Sequence, residues 1–534
     1  MSTAAITTET LSPDAPSDPV TSSPWLEKLD IWAEYLGDKL NPILVKETRQ
    51  ALKSRQFVIT FSVLLIASFG WTVAGSLSLM PLIYTTPSAP RMLIGYYIVL
   101  ALPMLIVVPL AAYRSLESEI DDGTLELLSI TALSAWQIVL GKLASASLQM
   151  MLYLVALFPC VAYAYTLRGV DLPTLALMMS TLIVTALTLT VVALSFAPLA
   201  RGRTGRISTL LVVLGVLLLV AYLLSFAIIS MITYGNPMSM QWTALLLISA
   251  SILAVSVSHL LLTTTASMLT PESENRSSGI RWAILMLTTL VIAINAFAIE
   301  WMAGENEVLG VFFPSLLVMG MLWTLAGSMM AAESDVVTPR IQRELPGNFA
   351  SRMLLVFFTP GPATGLVFAC LGVITLLIAS FVAIERMQDI GSVMRPRDFA
   401  ILRHAILVYC SYLVVFLVLV RWIVAVVRIN NHPRVEVGLA ALIAIGVLSA
   451  LVPYSIGLHY NDYRPYSYSA WQVTNWVWTL GTIFDNQLLS GVNEVAIAGL
   501  IIGFLIAIAG VGRRALAMRT ATPEAVLTEK AKAV

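Results

Sequence analysis

Along this chain, apolar residues gather in blocks of about twenty, separated by short polar stretches. A helix needs about 20 mainly apolar residues to cross the hydrocarbon core of a bilayer. On that length the pattern predicts twelve spanning helices, over 58–80, 93–113, 143–165, 173–199, 207–233, 241–266, 282–302, 309–332, 362–384, 404–427, 437–458 and 491–511. The expected fold class is therefore an all-α polytopic membrane protein of about twelve transmembrane helices. Two six-helix units with cytoplasmic amphipathic helices are one arrangement it allows.

Composition agrees: 58% of residues are hydrophobic, 12% are charged, and the mean hydropathy is +0.86. Soluble domains carry about 25% charged residues. Net charge is zero, which argues against a nucleic-acid partner needing a basic surface. Cys160, Cys370 and Cys410 lie far apart inside apolar blocks and read as small buried hydrophobes. The polar N-terminus has no basic stretch leading into an apolar one, so no cleavable signal is expected.

With a cytoplasmic N-terminus, 24 of the 31 basic residues fall on the inner side. That is the asymmetry of an even number of spans with both termini cytoplasmic. The loop 385–403 objects, because it would be external yet holds Arg386, Arg395, Arg397 and Arg403, for which Asp389 and Asp398 are candidate partners. Residues 459–478 contain four tyrosines and three tryptophans. Such rings favour the headgroup level, so an external hairpin partly embedded in the membrane is expected.

The expected organisation is a disordered cytoplasmic tail over 1–24, amphipathic interfacial helices over 25–56 and a six-span unit over 57–266. A second six-span unit over 267–512 and a cytoplasmic tail over 513–534 follow.

Two polar stretches look built rather than incidental. In ESEIDDGTLELLSITALSAWQIVLGK (117–142), five carboxylates fall within ten residues. The helix of the second span can run on through this acidic run to Gly123, a natural stop. Thr124 can cap a short helix holding Glu126, Leu127 and Leu128, too short to span. Ser134 and Gln137 form a capping box for the third span, with Leu133 and Ile138 as its hydrophobic staple. Lys142 would then snorkel at the inner interface. In NPILVKETRQ (41–50), Asn41 is a cap and Pro42 a first helical residue. Lys46, Arg49 and Lys53 line one side, so this helix would lie along the inner leaflet or dock on the acidic loop.

These two stretches resemble the membrane subunit of a type-2 ABC exporter. The first resembles the segment after that family's second span, and NPILVKETRQ resembles its interfacial helix, including Lys46, Glu47 and Arg49. Residues 41–200 carry the likeness; where the family often has proline after the threonine, Ala132 stands here. The resemblance implies a permease, not an enzyme, energised by a separate ABC ATPase that binds the ATP, with no cofactor in this chain. It places Glu117, Glu119, Asp121, Gly123, Thr124, Glu126, Leu127 and Leu128 at or beside the ATPase contact in the loop 114–142. It also implies a bacterial plasma or inner membrane, with the lipid bilayer and a second permease copy as further candidate partners. MLLVFFTPGPATGLVF (353–368), with Glu333 and Asp335 upstream, reads either as a degenerate second coupling element or as an ordinary Pro-Gly helix entry.

No GxxxxGK[ST] phosphate loop, HExxH or GxSxG motif occurs. The four histidines are scattered without ligand spacing, so no metal site is expected. A twelve-span secondary transporter of the facilitator type is the alternative. Its basic loop motif is only faintly echoed by RGRTGR (201–206), which follows the fourth span rather than the second. A lipid-linked glycosyltransferase would want an acidic residue in the first external loop, and 81–91 has none. A membrane scaffold without a transport role is a further class.

Overall fold

The computed structural model describes residues 42–81, 83, 85–123, 134–200, 202–235, 240–271, 274–301, 307–334, 348, 351, 355–390, 395–429, 435–464, 466–485 and 491–511. Among these residues the chain is all-α with no strand, and twelve of its helices are long and apolar enough to cross a membrane.

A short helix, α1 (Pro42–Lys53), leads into the first six spans. These are α2 (Arg55–Ser78), α3 (Ala89–Asp121), α4 (Ala135–Thr166), α5 (Leu172–Phe196), α6 (Gly202–Tyr234) and α7 (Met240–Leu269). The second six are α8 (Ser278–Trp301), α9 (Glu307–Ala331), α10 (Pro362–Asp389), α11 (Pro396–Arg428), α12 (Glu436–Tyr460) and α14 (Val492–Ala509). Between the last two lies α13 (Trp476–Phe484), nine residues long and too short to span.

The helix ends follow local chemistry. Ser54 accepts a hydrogen bond from the Phe57 amide at 3.1 Å and so starts α2. α3 stops where Gly123 takes the left-handed conformation (φ +66°), as its sequence predicts. The capping box at the start of α4 is present. The Ser134 amide donates to Gln137 Oε1 at 2.9 Å, and the Gln137 amide donates to Ser134 Oγ at 3.3 Å. Leu133 of the expected staple lies outside the described residues. Within α3, a π-helical turn over Pro103–Val107 absorbs the proline, whose missing N–H and bulky ring break the regular ladder.

Two large apolar cores divide the molecule. One is built from α2 to α6, around Tyr96, Tyr97, Leu105, Tyr153 and Leu182. The other is built mainly from α8 to α11, around Trp323, Cys370, Val373 and Leu417. Neighbour relations repeat between the halves. In the first, α2 packs on α3 and α4, α3 on α4, α5 and α6, α4 on α5 and α7, and α5 on α6 and α7. In the second, α8 packs on α9 and α10, α9 on α10, α11 and α12, α10 on α11 and α14, and α11 on α12 and α14. Position for position the two sets coincide. α7 and α8 pack on each other where the halves meet.

The arginine-rich segment 385–403 differs from expectation. α10 and α11 run beyond their apolar blocks, so most of it is helical. Arg386 pairs with Glu300 of α8 rather than with Asp389. Arg403 donates to Gln388 at 2.5 Å, and Asp398 accepts the Arg395 amide at 3.4 Å. Charge at these helix ends is thus used to join elements rather than left in a loop.

The aromatic stretch turns back beside α12. Trp476 Nε1 donates to the Gly446 carbonyl at 2.9 Å, Asn475 to that of Ala450 at 3.0 Å, and Gln472 to that of Pro453 at 3.0 Å. Gly446 lies about 21 Å from the end of α12 at 1.5 Å per residue. The segment therefore re-enters beside α12, and the side chain that opens α13 reaches more than half-way along that helix. Non-helical backbone survives at such depth only when protein covers it, and Gln472, Asn475 and Thr479 are all buried there.

Candidate functional site

At the end of the bundle that carries α1, three segments distant in sequence converge on one lysine. Lys142, the eighth residue of α4, has a side chain only 2% exposed. Its ammonium lies 3.3 Å from Glu47 Oε1 of α1 and 3.1 Å from Glu119 Oε2 near the end of α3. It also donates to Ser115 Oγ at 2.8 Å. An ammonium has three donors and no acceptor, so these three oxygens satisfy it. Ser115 in turn donates to Glu47 Oε2 at 3.4 Å, and exposed Lys46 stands 3.9 Å from Glu119 Oε1.

The sequence leads to each participant separately. α1 carries Lys46 and Arg49 on its exposed side, which turns Glu47 inward and leaves it buried. α3 continues past its apolar block, which brings Ser115 and Glu119 to the same level. On α4, Gly141, Ser145 and Ala146 flank Lys142 with small side chains, so neighbouring helices approach closely enough to enclose the ammonium. The position expected for a snorkelling lysine is thus a buried ion-pair centre instead. A charge taken from water needs partners, and Lys142 finds them in protein rather than at the membrane surface.

Beside this centre lies a cavity of about 180 Å³, lined by Glu47, Ser54, Thr60, Ser115, Lys142 and Gln149 among others. It is polar and roomy enough for water. Val107 and Val108, where the π-helical turn ends, form part of its wall.

Of the other sequence-predicted positions, Asp121 pairs with Arg206 of α6. Glu117 is half-buried on α3, Gly123 closes that helix, and Arg49 is exposed. Pro42 opens α1. Asn41, Thr124, Glu126, Leu127 and Leu128 lie outside the described residues.

The second half holds a comparable centre that sequence reasoning missed. Arg281, near the start of α8, is fully buried. Its Nη2 lies 2.8 Å from Glu333 Oε2, just past α9, and its Nη1 donates at 2.6 Å to the carbonyls of both Phe357 and Thr359. Ser277 bridges the pair, accepting from Arg281 Nε at 2.9 Å and donating to Glu333 Oε1 at 2.6 Å. The Gly361 amide, at the entry to α10, donates to Glu333 Oε2 at 2.6 Å. In both halves a buried cation ties the acidic end of the second spanning helix to the approach of the third. The first half draws that cation from its third helix, the second from its first. Arg281 was legible only as one more basic residue on the inner side. The signal that marks it is its place at the edge of an apolar block, with Ser277 one helical turn before it.

Mechanically, each centre makes three elements move together. A displacement of the α3 end away from α4 and α1 would leave buried charges unpaired, which is costly. No family model matches the chain, and neither does any curated protein or solved structure.

Proposed function

We propose that this chain is the permease subunit of an ABC transporter of the export type, energised by a separate ATPase. In this reading it sits in a bacterial plasma or inner membrane with both termini in the cytoplasm. The observation that carries the reading is the Lys142 centre. It locks the interfacial helix α1, the acidic end of α3 and the entry of α4 into one unit, and in sequence residues 124–133 join α3 to α4. A partner pressing on that segment would act on α3 and α4 directly, since a capping box anchors one flank and a glycine stop the other. The exporter resemblance falls on these same elements.

Glu117 and Glu126 are the acidic residues for testing the contact, because Glu119 is occupied by Lys142. The chain, extracted from its native membrane in mild detergent, is expected to bring with it a subunit bearing a phosphate-binding loop. Joint Glu117→Lys and Glu126→Lys substitution is expected to lower that subunit's stimulated ATP hydrolysis without lowering the melting temperature of the permease. A chain that purifies alone and transports in liposomes under a proton gradient would overturn the reading in favour of a secondary transporter.

A further inference from the structure

A second, larger cavity lies in the other half of the molecule, far along α8 from the ion-paired base. It has a volume of about 550 Å³ between α8, α9 and α10, within the range of small-molecule sites. From Val291 at its floor to Glu300 at its rim it extends about 14 Å along α8 at 1.5 Å per residue. Its deep wall is apolar, with Leu316, Met319 and Leu376 buried there. Val382 and Ala296, which also line it, are exposed on the bundle surface, so the cavity opens sideways between α8 and α10.

The polar groups in this cavity are graded along its length. Midway sit Asn295, Ser315 and Ser380. The Ser380 hydroxyl donates to the Leu376 carbonyl at 2.6 Å. The single hydroxyl proton of Ser315 serves the Phe312 carbonyl at 2.7 Å or Asn295 Oδ1 at 3.3 Å. Asn295 Nδ2 donates to Val291 O at 2.8 Å and to Ser315 Oγ at 3.0 Å. Donors are therefore spent within the protein, and lone pairs are what these side chains have left to offer. The rim carries Glu300, Glu385, Asp389 and Arg386. Arg386 Nε donates to Glu300 Oε1 at 2.5 Å, which leaves two negative charges in excess at the mouth. The nearby Arg403 is engaged by Gln388 and does not line the cavity.

We propose that this cavity binds a cationic amphiphile, with its apolar tail along Met319 and Leu376 and its ammonium head among Glu300, Glu385 and Asp389. The bilayer is as apolar as the cavity floor, so burying the tail gives little advantage over staying in lipid. Selection then falls on the head, where acceptors and excess negative charge favour a donor cation and disfavour an anion of equal length. The site stands apart from the Lys142 centre, and its occupancy does not depend on the ATPase reading.

The test uses the full chain in phosphatidylcholine nanodiscs with radiolabelled decylamine, protonated at neutral pH, in equilibrium dialysis against empty nanodiscs. A saturable component of one molecule per chain is expected above the lipid partition, absent for decanoate and for decanol. Joint Glu385→Gln and Asp389→Asn substitution removes two exposed charges and is expected to weaken it about tenfold. Ala383→Trp, which fills the cavity, is expected to abolish it. Should that variant fail to fold, the paired rim substitution still decides, since both of its side chains are exposed. The proposal is overturned if the saturable component is missing, if decanoate shares it, or if the folded variants all bind as the parent does.

Discussion

Lys142 and Glu47 stand 95 positions apart in sequence and 3.3 Å apart in space, and the bond between them is buried. It fastens a short helix that never enters the apolar bundle to the third spanning helix. Glu119 completes the centre from the second spanning helix. The same end of the other half is closed by Arg281 and Glu333, drawn from different positions of the repeated arrangement. Buried ion pairs add little net stability over an apolar replacement, but breaking one by removing a partner is costly. Their value here lies in register, since the pairing is satisfied in only one relative placement of the helices.

Lys142→Met follows from that asymmetry. It leaves the Glu47 and Glu119 carboxylates together and uncompensated apart from Lys46, which is itself exposed. The expected loss is about 3–5 kcal/mol, read as a clear fall in melting temperature of the purified chain. Adding Glu47→Gln and Glu119→Gln to the same chain should recover most of it. A triple variant no more stable than the single one would show that packing around the Lys142 stem, not charge, is what matters.

Arg281→Lys separates charge from geometry in the second half. The guanidinium serves Glu333, Ser277 and the carbonyls of Phe357 and Thr359 at once, and a lysine ammonium cannot span that fork. Charge is kept, yet at least one buried carbonyl loses its donor, at about 1–3 kcal/mol. Hydrogen exchange should then rise over 355–361 while α10 beyond residue 366 stays protected. Exchange identical to the parent would mean that Glu333 alone, through the Gly361 amide, holds the segment.

How far the sequence leads depends on how local the physics is. The twelve spans were legible because twenty apolar residues in a row have few alternatives to crossing a bilayer. The Gly123 stop and the Ser134–Gln137 box were legible because each involves neighbours in sequence. The burial of Lys142 was not, because its partners come from positions 47, 115 and 119 and only folding brings them together. The pairing of Arg386 was not legible for a related reason: its partner Glu300 belongs to a helix 86 positions away. Of the acidic run, the structure ties Glu119 and Asp121 into the bundle, whereas Glu126 lies outside the described residues.

Asn475→Leu probes the re-entrant segment. Asn475 accepts the Trp478 amide at 3.1 Å, capping α13, and donates to the Ala450 carbonyl of α12. Leucine matches its size but removes the cap, worth about 1 kcal/mol, and the donor for a carbonyl at membrane depth. Faster hydrogen exchange over 470–484, with α11 unaffected, is the expected result. If exchange is unchanged there, Gln472 and Trp476 suffice to hold the segment on α12.

Ser134→Ala with Gln137→Ala tests whether the start of α4 transmits force. Both hydrogen bonds of the capping box vanish, while neither side chain belongs to an apolar core. Loss of such a cap costs about 1 kcal/mol, too little to unfold a bundle of twelve spans but enough to fray the first turn of α4. Lys142, two turns further on, stays held by its three oxygens. Under the permease reading, a frayed turn absorbs displacement before it reaches Lys142. Stimulated ATP hydrolysis by the partner subunit should therefore persist while substrate export per ATP falls. Equal export per ATP in variant and parent would show that force enters through α1 and Glu47 instead.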